Sequence, residues 1–153
     1  MPRRPILCAA VLLPLVAGSV VGVAPSLASA AAPPVKISYA HYDSQGSDRG
    51  GNASLNDEYI VIRNMTSTNR SLTGWTLKDR TGYTYRFPAF TLGARGEVRV
   101  HTGKGTASST HRYYNRTWYV WNNDKDVAYL RDARGALQHS CTWTTTGHGY
   151  KAC

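Results

Sequence analysis

Apolar and polar residues alternate with a period of two in short segments along most of the chain, and this pattern limits the fold more than any other feature. In the first segment, Val35, Ile37 and Tyr39 alternate with Lys36 and Ser38. A period of two places the apolar side chains on one face of a β-strand, and no segment shows a convincing helical period. The seven predicted strands lie within residues 35–39, 58–64, 74–79, 83–88, 96–103, 126–132 and 136–143. Short strands separated by Gly, Asn, Asp and Ser predict an all-β protein with a β-sandwich fold.

The segment 58–64 differs from the other six because Tyr59 is followed by three apolar β-branched residues, Ile60 to Ile62. A run without alternation is typical of a strand that is covered on both faces. We therefore expect this strand to lie at the centre of a sheet.

Two pairs of neighbouring strands are joined by the same short pattern, Leu-basic-Asp-x-x-Gly. Asp79 and Gly82 carry it in the first pair, and Asp132 and Gly135 carry it in the second. An aspartate opens such a turn by accepting backbone N–H groups, and a glycine closes it where φ is positive. Each pattern predicts a tight β-hairpin, with both aspartates as turn residues.

The first thirty residues have the features of a secretory signal peptide. Arg3 and Arg4 precede an apolar run at 6–23 that contains helix breakers, and small residues follow at 28–30. A membrane anchor is the alternative, but the breakers and the cleavage pattern disfavour it, and no second apolar span follows. We expect a secreted, extracellular protein, free or associated with the cell wall, with no membrane span after cleavage.

Cleavage would leave residues 31–153 as one domain, with its core at about 35–143. Cys8 would be removed, so that Cys141 and Cys153 remain as a pair in an oxidising compartment. We expect them to form a disulfide that pins the tail 141–153. Metal ligation by this pair and a histidine has the wrong spacing for a structural zinc site, and no metal or cofactor is predicted.

The remaining domain is strongly basic. Sixteen of the eighteen Lys and Arg residues, and all nine Asp and Glu residues, follow Ala30. The net charge of about +7 favours anionic partners such as nucleic acid, teichoic acid, an acidic glycan or a phospholipid surface. A solvated surface that only keeps the protein soluble is the alternative.

Four motifs, taken in order, resemble those of the lamin tail domain in its secreted, stand-alone bacterial form. The motifs are LNDEYIVIRN, SLTGWTLKDRTGYTYRFP, LGARGEVRVHTGKGT and WNNDKDVAYLRDARGALQHSCTW, and they begin at Leu55, Ser71, Leu92 and Trp121. The resemblance implies an immunoglobulin-like β-sandwich that serves as a recognition or tethering module. It implies no shared catalytic residues, and it leaves the ligand open among nucleic acid, protein partners and surface attachment.

The stretch HRYYNRTWYVW, residues 111–121, interleaves cationic and aromatic side chains. Arginines neutralise phosphates while rings stack on bases or sugars, so the mixture suits single-stranded nucleic acid or a glycan. The alternative is that alternate rings face the core from one strand, either Trp118 with Val120 or Tyr119 with Trp121, but the rings are too many for one face. The predicted ligand-binding residues are Lys104, Arg112, Tyr113, Tyr114, Arg116 and Trp118.

Amide and acid side chains cluster at residues 122–126, and their oxygens are the kind of ligand that calcium binds. The cluster does not match an EF-hand, because Val127 occupies the glycine position and Ala133 occupies the glutamate position. We interpret the cluster as a turn in which side chains accept backbone N–H groups. A calcium site that joins Asp124 or Asp126 to distant aspartates remains an alternative; those aspartates are Asp43, Asp48 and Asp57.

No catalytic motif is recognisable. The chain has no Gly-x-Ser-x-Gly elbow, no His-Glu-x-x-His pattern and no phosphate loop, and its five histidines are scattered. We expect Glu58 to pair with Arg63 or with an arginine of a neighbouring strand. The protein is therefore predicted to be a non-catalytic binding module for an anionic polymer. The alternatives are a protein-interaction module that pairs through a strand edge and a calcium-dependent carbohydrate binder that uses the loop 43–57.

Overall fold

The computed structural model describes residues 32–144 and 148–153, all of which lie in one compact unit, Ala31–Cys153. The predicted signal peptide, residues 1–30, lies outside the described residues. The described part of the chain contains eleven strands and one short helix. The strands are β1 (Val35–His41), β2 (Tyr59–Asn64), β3 (Arg70–Ser71), β4 (Thr76–Lys78), β5 (Thr84–Arg86), β6 (Thr91–Leu92), β7 (Glu97–His101), β8 (His111–Tyr113), β9 (Lys125–Arg131), β10 (Leu137–Thr144) and β11 (Tyr150–Ala152), and the helix is α1 (Asn52–Asp57).

The strands form two main sheets that enclose the core, so the predicted all-β, immunoglobulin-like β-sandwich is confirmed. One sheet has five strands in the order β11-β1-β2-β7-β8, and the other has four in the order β10-β9-β4-β5. A separate two-stranded sheet joins β3 to β6. Neighbouring strands are antiparallel except β7 and β8, which run parallel.

Most of the alternating residues predicted to face the core do so, but Tyr39 does not: a β-bulge after Ile37 shifts the alternation, so Ala40 is buried in its place. Val35 and Ile37 of β1, and Val98 and Val100 of β7, are almost completely buried. Strand β2 lies at the centre of the five-stranded sheet and buries three successive residues, Ile60 to Ile62. The prediction of a central strand covered on both faces is therefore confirmed.

Both predicted hairpins are present. The Asp79 carboxylate accepts the Gly82 N–H at 2.7 Å and the Thr81 hydroxyl, and Gly82 has a φ of 119°. The Asp132 carboxylate accepts the N–H groups of Arg134 and Ala136 at 2.9 and 3.0 Å. Both aspartates act as turn residues, as the sequence predicted.

The C-terminal tail is fixed as predicted. Cys141 of β10 and Cys153 form a disulfide, and their Cα atoms are 5.7 Å apart. Strand β11 pairs with β1, which places Tyr150 opposite His41. The disulfide therefore links β10, an edge strand of the four-stranded sheet, to the residue that follows β11, an edge strand of the five-stranded sheet.

The expectation that the chain has no helix is wrong. Helix α1 forms inside the segment 43–57, which the sequence predicted to be a loop, and Leu55 is its buried residue. The sequence could not predict this helix for two reasons. Gly51 gives it no side-chain cap, and its single buried apolar residue is too few to produce a helical period. None of the helical residues that the structure describes belongs to a helix long and apolar enough to span a membrane.

Candidate functional site

The aromatic and basic stretch 111–121 does not form one strand. Residues 111–113 are β8, after which the backbone turns at Asn115, whose φ is +59°. Val120 and Trp121, although adjacent, are both buried. The hypothesis that alternate rings of a single strand face the core is therefore wrong, and the turn sends the side chains of this stretch to different places.

One group of them lines a cavity of about 610 Å³. Its lining includes Tyr85 and Arg86 of β5 together with Arg112 and Tyr113 of β8. Strands β5 and β8 are edge strands of the two sheets, so the cavity opens on one side of the sandwich. We call it the basic edge cavity, because its lining residues include two arginines and no carboxylate.

Arg112 is held firmly in this cavity. Its guanidinium carbon lies 4.1 Å from the centroid of the Phe90 ring, and its Nη1 donates to the carbonyls of Ser108 and His111. The Nε of Arg112 is buried and has no hydrogen-bond partner. Burial raises the pKa of the neighbouring Tyr85 phenol, an effect that the Arg112 charge opposes, so Tyr85 stays neutral at ordinary pH.

The other predicted ligand-binding residues lie elsewhere. The Tyr114 hydroxyl donates to the Leu77 carbonyl at 2.8 Å, and burial raises its pKa well above 10, so this side chain is directed inward. Arg116 stacks over the Tyr83 ring at 4.3 Å. The side chain of Lys104 is exposed, while its backbone N–H and carbonyl are bound by the Asn52 amide.

Trp118 lines a second cavity, of about 460 Å³, with 58% of its surface exposed. The polar side chains of this cavity include two carboxylates and two amides, and its lining contains no lysine or arginine. We call it the Trp118 cavity. The sequence grouped Trp118 with Arg112 and Tyr113, whereas the structure places it among acidic and amide side chains; they include Asp48, Asn122, Asn123 and Asp124.

Glu58 is completely buried at the junction between α1 and β2. Its carboxylate accepts the N–H groups of Trp121 at 2.7 Å and Val120 at 3.2 Å. The predicted ion pair of Glu58 with an arginine is wrong: Arg63 instead lies 3.5 Å from Glu97. Burial raises the pKa of Glu58 to about 8, against the lowering effect of the two N–H groups.

Asp126 confirms that the cluster 122–126 is a turn. Its buried carboxylate accepts the N–H groups of Val127 at 2.7 Å, Asn122 at 3.0 Å and Arg80 at 3.2 Å. Since its oxygens already bind backbone donors, Asp126 is not free to ligate calcium. Among residues 32–144 and 148–153, no group of three His, Cys, Asp or Glu side chains could hold a metal ion.

Two of the histidines that are scattered in the sequence are neighbours in the fold. The His101 Nδ1–H donates to the Asn56 carbonyl at 2.6 Å, so its Nε2 accepts the Nδ1–H of His111 at 2.8 Å. His101 also belongs to a row of rings that crosses the five-stranded sheet through Tyr59 and Tyr39, at centroid distances of 5.5 and 6.3 Å. Contacts between such cross-strand rings stabilise a sheet.

A family model described as Lamin Tail Domain matches residues 28–145, which is more than half of the chain. The protein belongs to the lamin tail domain family. Its family is a non-enzymatic, immunoglobulin-like fold whose members often serve as structural or interaction modules. No curated protein matches the chain.

The surface of this lamin tail domain is more basic than its net charge suggests. Three of the nine carboxylates, those of Glu58, Asp79 and Asp126, are buried and bind backbone N–H groups. None of the sixteen lysines and arginines of residues 32–153 is buried, and only Arg63 and Arg134 lie within 4.0 Å of a carboxylate among the described residues. The solvent therefore meets six carboxylates against sixteen cationic groups.

Proposed function

We propose that this lamin tail domain is a secreted, non-catalytic interaction module of the stand-alone bacterial type that attaches to an anionic polymer. Nucleic acid, teichoic acid and acidic glycans share the relevant chemistry, which is a series of phosphate or carboxylate groups. The proposal includes cleavage after Ala30 and an extracellular or cell-wall location for residues 31–153.

The basic edge cavity carries the proposal. Arg86 and Arg112 lie on facing edge strands, and Tyr85 and Tyr113 lie beside them. The Nη1 of Arg112 already donates to two carbonyls and its Nε is buried, so Arg112 offers a phosphate its charge and its Nη2 group. The Arg86 guanidinium donates from Nη1 to the Gly74 carbonyl and can still bind a phosphate through two parallel hydrogen bonds, while a phenol ring offers a face to a base or a sugar. Since no carboxylate lines the cavity, an anion entering it meets no repulsion at close range.

The wider surface supports the same partner. The excess of unpaired cations around the sandwich would raise the local concentration of a polyanion and speed its association. Lys104 adds an exposed charge on the loop that leads to β8.

The test is binding of the protein to polyphosphate, single-stranded DNA and teichoic acid by calorimetry at increasing salt. Neutralising phosphates releases counterions, so log K should fall linearly with log salt, by about 0.7 per phosphate contact for a single strand. The variant Arg86→Gln/Arg112→Gln should lower this slope by about 1.4 for single-stranded DNA and weaken binding roughly tenfold or more.

A matched control removes two charges at the opposite edge of the five-stranded sheet, in Lys36→Gln/Lys151→Gln. These lysines lie on β1 and β11, whereas Arg112 lies on β8. Equal losses of affinity in the two variants would show that binding depends on net charge alone. The basic edge cavity would then be rejected as the site. Thermal unfolding of both variants shows whether each remains folded.

A second candidate function is pairing with a protein partner through β10. This edge strand is eight residues long and contains no charged residue and no proline, which are the usual protections against pairing. Its first residue, Leu137, is 51% exposed. Strand pairing would be insensitive to salt, so the salt series above separates it from polyanion binding.

A further inference from the structure

We propose that the Trp118 cavity is a second binding site, which takes a neutral sugar unit of a polysaccharide. None of the residues that line this cavity lines the basic edge cavity. The charged side chains in the lining of the Trp118 cavity are carboxylates, whereas those in the lining of the basic edge cavity are arginines. This second site therefore lies beyond the proposed attachment to an anionic polymer.

Trp118 is exposed yet fixed in place. A Cβ atom added at Gly50 would lie 2.7 Å from Cζ3 and 3.0 Å from Cε3 of the indole, so the ring rests directly on the Gly50 backbone. Gly50 has a φ of +72°, a conformation that glycine adopts without strain. The Tyr119 ring supports Trp118 at a centroid distance of 5.6 Å in an edge contact. The face of the indole that points away from Gly50 thus remains open to solvent.

The polar groups beside this open face are mostly hydrogen-bond acceptors. Asp48 and Asp124 line the cavity, and neither lies within 4.0 Å of a cationic side chain in the part of the chain that the structure describes. The Asn123 amide donates to Asp48 Oδ2 at 3.2 Å and to Asp43 Oδ1 at 2.9 Å. This amide ties the loop before α1 to the loop before β9, so the two walls of the cavity are held at a fixed distance.

A sugar ring fits these groups better than an anion does. Its C–H face can lie on the open indole face, while its hydroxyls donate to the carboxylates and exchange hydrogen bonds with the Asn122 amide. Two carboxylates would repel a phosphate or a uronic acid at close range. The volume of about 460 Å³ lies within the range of small-ligand sites, roughly 300–1,000 Å³.

The test measures tryptophan fluorescence and its quenching by acrylamide while neutral hexasaccharides of glucose, N-acetylglucosamine and mannose are added to the protein. Of the four tryptophans, Trp121 and Trp143 are buried and Trp75 is partly buried, so Trp118 is the most exposed. The part of the quenching that Trp118→Ala abolishes is the part that reports on Trp118. We expect at least one of these sugars to protect Trp118 and to bind equally well at low and high salt. Choline, a small cation with a single hydroxyl, is the control for a ligand that is held by its positive charge.

Three variants locate the site, and their sugar binding is measured by calorimetry because Trp118→Ala removes the fluorescent reporter. Trp118→Ala removes an exposed ring without opening the core, and it should weaken sugar binding about tenfold or more, as loss of an aromatic anchor does. Asp48→Asn keeps the size of the side chain and should weaken binding less. Arg86→Gln/Arg112→Gln should leave sugar binding unchanged, so failure of the polyanion proposal and failure of this one can be told apart.

The proposal is overturned if none of the three sugars protects Trp118, or if Trp118→Ala binds sugar as the unaltered protein does. Binding of choline as tight as that of the sugars would also overturn it, because the cavity would then be a site for cations. Gly50→Ala gives an independent check, since its added methyl displaces the indole without removing any group that touches the sugar, and it should weaken binding as well.

Discussion

Raising the pH is expected to destabilise the protein through one buried side chain, Glu58. Burial raises the pKa of this carboxyl from 4.5 to about 8 in the folded state, while the unfolded chain keeps the ordinary value. The stability due to protonated Glu58 is therefore fully present below about pH 4.5 and is lost as the pH rises through about 8. One pKa unit corresponds to about 1.4 kcal/mol, so the loss between pH 5 and pH 7.5 is roughly 3 kcal/mol.

The assay is urea unfolding followed by tryptophan fluorescence at several pH values, for the unaltered protein and for Glu58→Gln. The glutamine cannot ionise, and its carbonyl can still accept the Trp121 N–H, but its NH₂ group faces the Val120 N–H. We expect a cost of about 1–3 kcal/mol at low pH for this unsatisfied donor, together with a flatter pH dependence.

Other titrating groups cancel in the difference between the two proteins. Burial lowers the pKa of His101 and of His139, so their contributions are present above about pH 6.5 and are lost as the pH falls. Both histidines are the same in the variant. If the unaltered protein loses no more stability than Glu58→Gln as the pH rises, then Glu58 is ionised in the folded state and the reasoning is refuted.

Three further outcomes are expected. Reduction of the Cys141–Cys153 disulfide, which spans a sequence separation of 12, should lower the free energy of unfolding by about 3 kcal/mol, and an unchanged urea midpoint would contradict this. Asp126→Ala should cost roughly 3 kcal/mol or more because three backbone N–H groups lose their acceptor, whereas a chelator should leave the unaltered protein's melting temperature unchanged. Gly82→Ala should destabilise by about 1 kcal/mol through its φ of 119°, while Gly93→Ala, which also meets nothing within 4 Å, should be nearly neutral in thermal unfolding.

Seven of the strands could be predicted because each carries its own signal; they are β1, β2, β4, β5, β7, β9 and β10. Val98 and Val100 alternate with polar neighbours, and the Asp-to-Gly turns fix where the hairpins bend. Strand β8 could not be predicted in this way. His111 and Arg112 have no apolar alternation, and β8 exists because it pairs in parallel with β7, a partner about ten residues earlier that no local pattern reveals.

In the candidate sites, too, some residues carry a local sequence signal and others come together only through the fold. Arg112 and Tyr113 could be selected from their composition, and the structure brings them together in one cavity. Their partner Arg86 was missed because it lies in another motif and joins them only when the edges of the two sheets meet. The separation of Trp118 from Arg112 depends on the turn at Asn115, where φ is positive. An asparagine suits such a turn, but the sequence does not show which side chains the turn sends apart.

The pairing of β1 with β11 has a consequence for the kinetics of folding. Tyr39 and Ala152 are opposite each other in the sheet although more than one hundred residues separate them along the chain. Contacts so distant in sequence form only after a large loss of chain entropy, and β-sandwiches with such contacts fold in milliseconds to seconds. The five-stranded sheet is complete only once residues 150–152 have been synthesised and docked, because β11 comes last in the chain among the five strands of this sheet.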